Sequence, residues 1–233
     1  MTAIVPSVAP APTTAPGRQL ASLTPGEQLR AGRLPRRLLQ LAVGLWLYGA
    51  SMAMVIRGAL GLDPWDVFHA GVMTHVGLTF GEVVIVVGFL VLLLWIPLRQ
   101  MPGLGTLANV VLIGVATDAT LAVISAPGGL LARGALLVGG VVLNGLAGAL
   151  YIGAQLGPGP RDGLMTGMAR RTGRSIRLVR TSLEVTVLVV GFLLGGQVGL
   201  GTVLYAVGIG PLVQLFLPWT IVELAPRSAS RPA

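Results

Sequence analysis

Six long runs of apolar residues, nearly free of charge, restrict this chain to one solvent. An α-helix rises 1.5 Å per residue, so about 20 apolar residues match the hydrocarbon thickness of a bilayer. Within that layer only helices or closed barrels satisfy every backbone polar group. The runs predict spans over Leu38–Val55, Leu78–Leu98, Gly105–Ser125, Leu131–Gly153, Leu178–Gly196 and Leu200–Val222. The second and fifth each carry one glutamate, Glu82 and Glu184. Only 10% of the 233 residues are charged and 54% are hydrophobic. A soluble domain carries about a quarter charged residues, so this chain lacks the means to clothe a water-facing surface. The reading is an all-α membrane protein of six transmembrane helices, with the lipid bilayer as its first partner.

All sixteen basic residues are arginine, and their distribution sets the expected topology. With the N-terminus inside, fourteen arginines fall on the cytoplasmic side and only Arg57 and Arg133 fall outside. That asymmetry follows the positive-inside rule and predicts that both ends are cytoplasmic. A net charge of +8 would also suit a nucleic-acid binder. Here the arginines flank apolar runs without aromatic interleaving, so they read as topology determinants and no nucleic-acid partner is expected. Residues 1–34 are rich in Pro, Ala, Ser and Thr and read as a disordered cytoplasmic tail, with 223–233 as a second tail. The first stretch lacks the apolar core of a signal peptide, so the first span is expected to direct insertion.

The two halves, residues 35–125 and 126–222, resemble each other at an offset of 96. Tyr48 matches Asn144, Gly61 matches Gly157, and Pro64-Trp65-Asp66 matches Pro160-Arg161-Asp162. After a shift of seven, Gly88-Phe89 matches Gly191-Phe192; the offset then returns to 96, where Gly103–Thr106 matches Gly199–Thr202. Each copy holds three spans. Three is odd, so the second copy is expected to insert upside down, the inverted-repeat design common in secondary transporters.

Between the first two spans of each copy lies a segment too long for a tight turn. Gly61 and Pro64 in the first, and Gly157 and Pro160 in the second, are expected to build an irregular turn. Asp66 and Asp162 then read as N-caps of a short helix, since proline suits the helix start and aspartate accepts from its free N–H groups. Such a helix, about 15 Å long for ten residues, is interfacial or re-entrant. A second reading gives Asp66 and Asp162 direct contact with a small-molecule substrate.

Other polar residues sit inside apolar runs. Asp118 is a candidate functional residue because an ionisable group there is costly; otherwise it reaches headgroups or pairs with Arg133. Its repeat partner is Gln214. Tyr48 and Asn144 read as interhelical hydrogen-bonding groups or as ligand contacts. Glu184, one turn after Arg180, predicts a local ion pair. Trp95 and Trp219 read as interface anchors. His69 and His75 stand six apart and do not share a helix face, and with no cysteine in the chain no metal site is expected. Nucleophile-elbow, zinc-protease and phosphate-loop motifs are missing, so neither catalysis nor a cofactor is expected.

Asp63-Pro64-Trp65-Asp66, Gly159-Pro160-Arg161-Asp162-Gly163-Leu164-Met165 and the twin Gly-x-Gly-Thr segments together resemble the bacterial YczE/YitT-like membrane protein family, over roughly residues 35–222. Val67 stands in the first copy where the second has Gly163, so the copies can differ in role. The resemblance implies a multi-pass protein of the bacterial inner membrane. Relatives grouped with small-molecule exporters imply an export role, and no catalytic residues carry over. The expected function is a small secondary transporter. The alternative is a non-transporting scaffold or regulator of a partner, using the arginines between Arg161 and Arg180. A homodimer is compatible with either.

Overall fold

The computed structural model describes residues 20–21 and 23–224. Among them nine α-helices and no strands occur: α1 (Pro25–Arg30), α2 (Leu34–Gly58), α3 (Pro64–Met73), α4 (Phe80–Leu98), α5 (Leu104–Val123), α6 (Leu130–Gly153), α7 (Pro160–Thr172), α8 (Ile176–Leu193) and α9 (Leu200–Thr220). Five of these, α2, α4, α5, α6 and α9, are long and apolar enough to cross a membrane. The predicted fifth span corresponds to α8, whose 18 residues carry Arg177, Arg180 and Glu184.

The helix starts follow local chemistry. Pro64 and Pro160 open α3 and α7 at positions where no N–H is needed. Thr79 and Glu82 form a reciprocal capping box at α4, and the Ser175 hydroxyl accepts from Leu178 N–H at α8. Leu34, Pro64, Phe80 and Leu104 each have a counterpart start 96 residues later, at Leu130, Pro160, Ile176 and Leu200. The shift of seven inferred around Gly88 is therefore corrected: α4 and α8 begin in register without it.

Helices α2 and α6 form the centre of the bundle and pack along each other. Small residues let the backbones approach: Gly44 abuts the backbone of Tyr151, and Gly140 abuts Ser51. Helix α5 lies on α2, where Gly49 faces the Ile113 carbonyl and Ala116. Helix α9 lies on α6, where Gly145 faces Leu212 and Gly153 faces Thr220. The short helices cross over: α3 packs on α8, and α7 packs on α4. Helices α4 and α5 also pack closely, with Gly81 and Gly114 backbone to backbone, whereas α8 and α9 share at most a marginal contact.

The N-terminal stretch departs from expectation. Disorder was expected through residue 34, yet α1 occupies Pro25–Arg30, capped by Thr24 and Glu27. Its Gln28 carbonyl accepts from Arg37, whose side chain is 0% exposed. The same guanidinium donates to the Ala154 carbonyl at 2.8 Å and to that of Gln155 at 2.6 Å, beyond the C-terminus of α6. Arg37 was read as a topology determinant; it is also a clasp. The expectation of disorder for residues 1–19 and 225–233 lies outside the described residues.

A Cβ at Gly49 would overlap both the Ile113 carbonyl and Ala116. Overpacking of this kind costs about 1–3 kcal/mol. Gly49→Val is expected to lower the thermal unfolding midpoint of the detergent-solubilised protein, while Gly134→Ala, where nothing lies within 4 Å, leaves it unchanged.

Candidate functional site

Two irregular segments carry the site. Gly61 and Gly157 have φ of +114° and +121°, a left-handed conformation that glycine adopts without strain. Each then runs, extended, into a short helix. The N-cap of α3 is Asp63, not Asp66: its carboxylate accepts from Trp65 N–H at 2.9 Å and Asp66 N–H at 3.1 Å. The N-cap of α7 is Gly159, so Asp162 is not a cap either. Both expected caps lie instead in the first turn, because proline at the first helical position assigns the cap to the residue before it. That leaves their carboxylates free for tertiary contacts.

Those contacts bring the two N-terminal ends together. Arg161, at the start of α7, places Nη1 3.7 Å from Asp63 and Nη2 3.7 Å from Asp66, both on α3's first turn or cap. Its guanidinium lies 4.9 Å above the Trp65 ring, within cation–π range. Asp66 meets His69 Nδ1 at 3.2 Å on its other side. Asp162 accepts from the Tyr151 hydroxyl at 2.8 Å. Arg161 was expected among the cytoplasmic topology arginines; it stands in this cluster, with its side chain 27% exposed.

The supports are equally specific. Trp95 is not an interface anchor: it is 2% exposed, and its Nε1–H donates to the Pro160 carbonyl at 3.0 Å. Gly163 leaves room for that indole, since a Cβ there would fall within the ring. In the first copy Val67 and Phe68 face Gly191 instead, so the bulky partner has changed sides. Trp219, by contrast, is 82% exposed. The Gly-x-Gly-Thr segments hold the turns: Gly105 N–H donates to the Leu156 carbonyl at 2.7 Å, and Gly201 N–H donates to that of Leu60 at 2.8 Å.

Around the cluster lie two adjoining chambers that share Tyr48, Trp65, Tyr151, Arg161 and Asp162. One, towards α4 and α5, is walled mainly by Val84, Val87, Val91 and Ile113. The other, towards α8 and α9, has an empty volume of ≈ 960 Å³, part of it open to the outside, and adds Asn144, Arg180, Glu184, Tyr205 and Gln214. Asn144 donates to Ser51 Oγ at 2.8 Å and accepts from the Tyr205 hydroxyl at 2.9 Å. Tyr48 packs edge-on against Tyr151. Arg180 and Glu184 form the expected pair at 2.8 Å.

Of the sequence candidates, Tyr48, Asn144, Asp162 and Gln214 line the cavity, and Asp66 joins it through Arg161. Gly61 and Gly157 form the turns as expected, whereas Pro64 and Pro160 stand just past them as the first residues of α3 and α7. Asp118 belongs elsewhere: it accepts from Gly81 N–H at 2.8 Å and from the Thr79 hydroxyl, tying α5 to the start of α4. Asp63, Tyr151, Arg161 and Tyr205 are the residues that sequence reasoning missed. The offset of 96 held a signal for Tyr205, because it aligns with Asn109, which lines the other chamber.

Long apolar helices enclosing a charged cluster define an integral membrane protein. The chain matches, over residues 35–218, a family of unknown function (DUF6198), and it belongs to that family. It is 40% identical over 177 residues to an uncharacterized protein of Haemophilus influenzae, covering 76% of this chain and 81% of that one. It is 36% identical over 192 residues to the uncharacterized membrane protein YczE of Bacillus subtilis, covering 82% and 89%. The YczE likeness read from the motifs therefore stands. No solved structure matches the chain.

Asp118→Ala strips two donors at the α4 start of their acceptor. The Thr79 hydroxyl is exposed and can turn to water, but the buried Gly81 N–H is left unpaired, which costs about 1–3 kcal/mol. The variant is expected to unfold at lower temperature in detergent, whereas Gln214→Ala, at an exposed position, keeps the parent midpoint.

Proposed function

We propose that this protein is a small secondary transporter that exports a small molecule from the bacterial cell. One observation carries the reading: the N-terminal ends of two short helices meet in a charged cavity beside Tyr48 and Asn144, near the middle of α2 and α6. Discontinuous helices whose ends face a site at mid-membrane depth are the recurring architecture of secondary transporters. Irregular backbone at that depth persists only where protein or a water-filled cavity covers it.

In this reading α8 also crosses the membrane, bringing the spans to six, and the two copies are inverted relative to one another. Helix starts in a constant register of 96, and crossed packing of α3 on α8 and α7 on α4, support it. The arginine distribution supports cytoplasmic N- and C-termini. Transport proceeds by rocking of one copy against the other about the α2–α6 contact, exposing the cavity to each side in turn.

The scaffold alternative relied on the six arginines from Arg161 to Arg180. Four of them have partners within the protein. Arg161 faces Asp63 and Asp66, Arg170 donates to Gln100, Arg171 to the Pro97 carbonyl, and Arg180 pairs with Glu184. Only Arg161 and Arg180 meet carboxylates, so the alternative loses those two charges and keeps the exposed Arg170, Arg171, Arg174 and Arg177 for an outside partner.

Two experiments test the proposal. Reporter enzymes active on only one side of the membrane, fused to each end, are expected to place both termini in the cytoplasm; an external terminus would overturn the six-span topology. Metabolites are then compared inside and outside cells of a null strain, wild type, Arg161→Gln and Asp162→Asn. Accumulation of one solute class inside the null strain, repeated in both variants, is the expected result. Unchanged profiles in all strains, together with no solute movement in vesicles, would sink the transporter.

A further inference from the structure

The charges around the cavity define what it can hold. Four carboxylates converge there: Asp63, Asp66, Asp162 and Glu184. Two guanidiniums answer them, Arg161 and Arg180. The starts of α3 and α7 each add about half a positive charge from the helix dipole. His69, ringed by Trp65, Phe68 and Phe80, is counted as uncharged. With the carboxylates ionised, about one negative charge is left over. Within a membrane such a charge requires a counter-cation or a proton.

Helix N-termini ordinarily attract anions. Here both are already supplied from within the chain, by the Asp63 cap of α3 and by Asp162 in the first turn of α7. Arg161 is likewise taken up by Asp63 and Asp66, and Arg180 by Glu184. Asp162 differs: its hydrogen bond is to the neutral phenol of Tyr151, and the Arg180 charge that also acts on it is already shared with Glu184. The wall around it is aromatic: Tyr48, Tyr151, Tyr205 and Trp65 all line the chamber towards α8 and α9. Aromatic rings with a nearby carboxylate are the recognition chemistry of alkylammonium ions, above all quaternary ones, which have no N–H to donate.

We propose that this chamber is a binding site for an organic monocation of the alkylammonium type, held by the Asp162 carboxylate among the rings of Tyr48, Tyr151 and Tyr205. The inference rests on the transporter reading for its biological sense and names the substrate class of the same site. It also defines an exchange: when the cation leaves, a proton can take its place on the carboxylates, so that cation and proton alternate.

The test is calorimetric titration of the purified full chain in detergent with benzyltrimethylammonium, and separately with benzoate as an anion of similar bulk. The expected result is saturable binding of the cation at one site per chain, weakened at least tenfold in Asp162→Asn, with no saturable binding of benzoate. Benzoate binding as tightly as the cation, or no saturable cation binding, in the wild type would overturn the proposal without recourse to any variant. Undiminished affinity in a folded Asp162→Asn, checked by thermal unfolding, would overturn the placement on Asp162. Failures separate cleanly. Cation binding with no flux into vesicles removes the transporter and keeps the site. Flux of a solute without cation binding does the reverse.

Discussion

Two backbone hydrogen bonds hold the arrangement on which the rest depends. Helices α5 and α9 begin beside the interior of the bundle, where free N–H groups have no water to meet. Gly105 N–H reaches the Leu156 carbonyl, and Gly201 N–H reaches that of Leu60. Each acceptor lies in the turn leading to a short helix of the other half of the chain. The bonds therefore satisfy two exposed backbone groups at once and fix where α3 and α7 start. Glycine is required at both crossings: Gly61 lies against Gly199, and Gly157 against Gly103, with no room for a side chain. The charged cluster at Arg161 follows from that placement.

Much of this was legible in the sequence. Length and apolarity located the long helices, and the offset of 96 located both irregular turns. What escaped had particular causes. Asp66 and Asp162 looked like caps, yet Pro64 and Pro160 already stated where the helices begin, and the cap is the residue before the proline. Arg161 was absorbed into a count in which every arginine weighs the same, and only tertiary structure separates a cavity arginine from a headgroup arginine. Trp95 sat at a helix end, where tryptophan commonly anchors to the interface, but the space left by Gly163 drew it inward. Helix α1 was hidden by a composition typical of disorder. Its short length is held by tertiary bonds that local sequence does not encode.

The two sides of the cluster are unlike, and the chain says why. Helix α4 closes on α5 because Gly81 can lie against Gly114. The residue 96 positions after Gly81 is Arg177, and the one after Gly88 is Glu184. A long charged side chain and a salt-bridged one replace two contacts made without side chains, so α8 does not seat on α9 in the same way. The wall that results is polar and partly open, opposite one that is apolar and tight. Unlike residues at positions 96 apart thus leave the frame sided, with the charged cluster facing the looser wall.

The buried Arg37 also has a consequence for how the protein is made. Of its three carbonyl acceptors, only Gln28 precedes it; Ala154 and Gln155 are translated more than a hundred residues later. Without the end of α6 the guanidinium lacks two of its three acceptors. Arrival of the end of α6 supplies them. Docking of the two halves is thus recorded in a single side chain: the guanidinium is fully partnered only when the start of α2, the end of α6 and helix α1 are together.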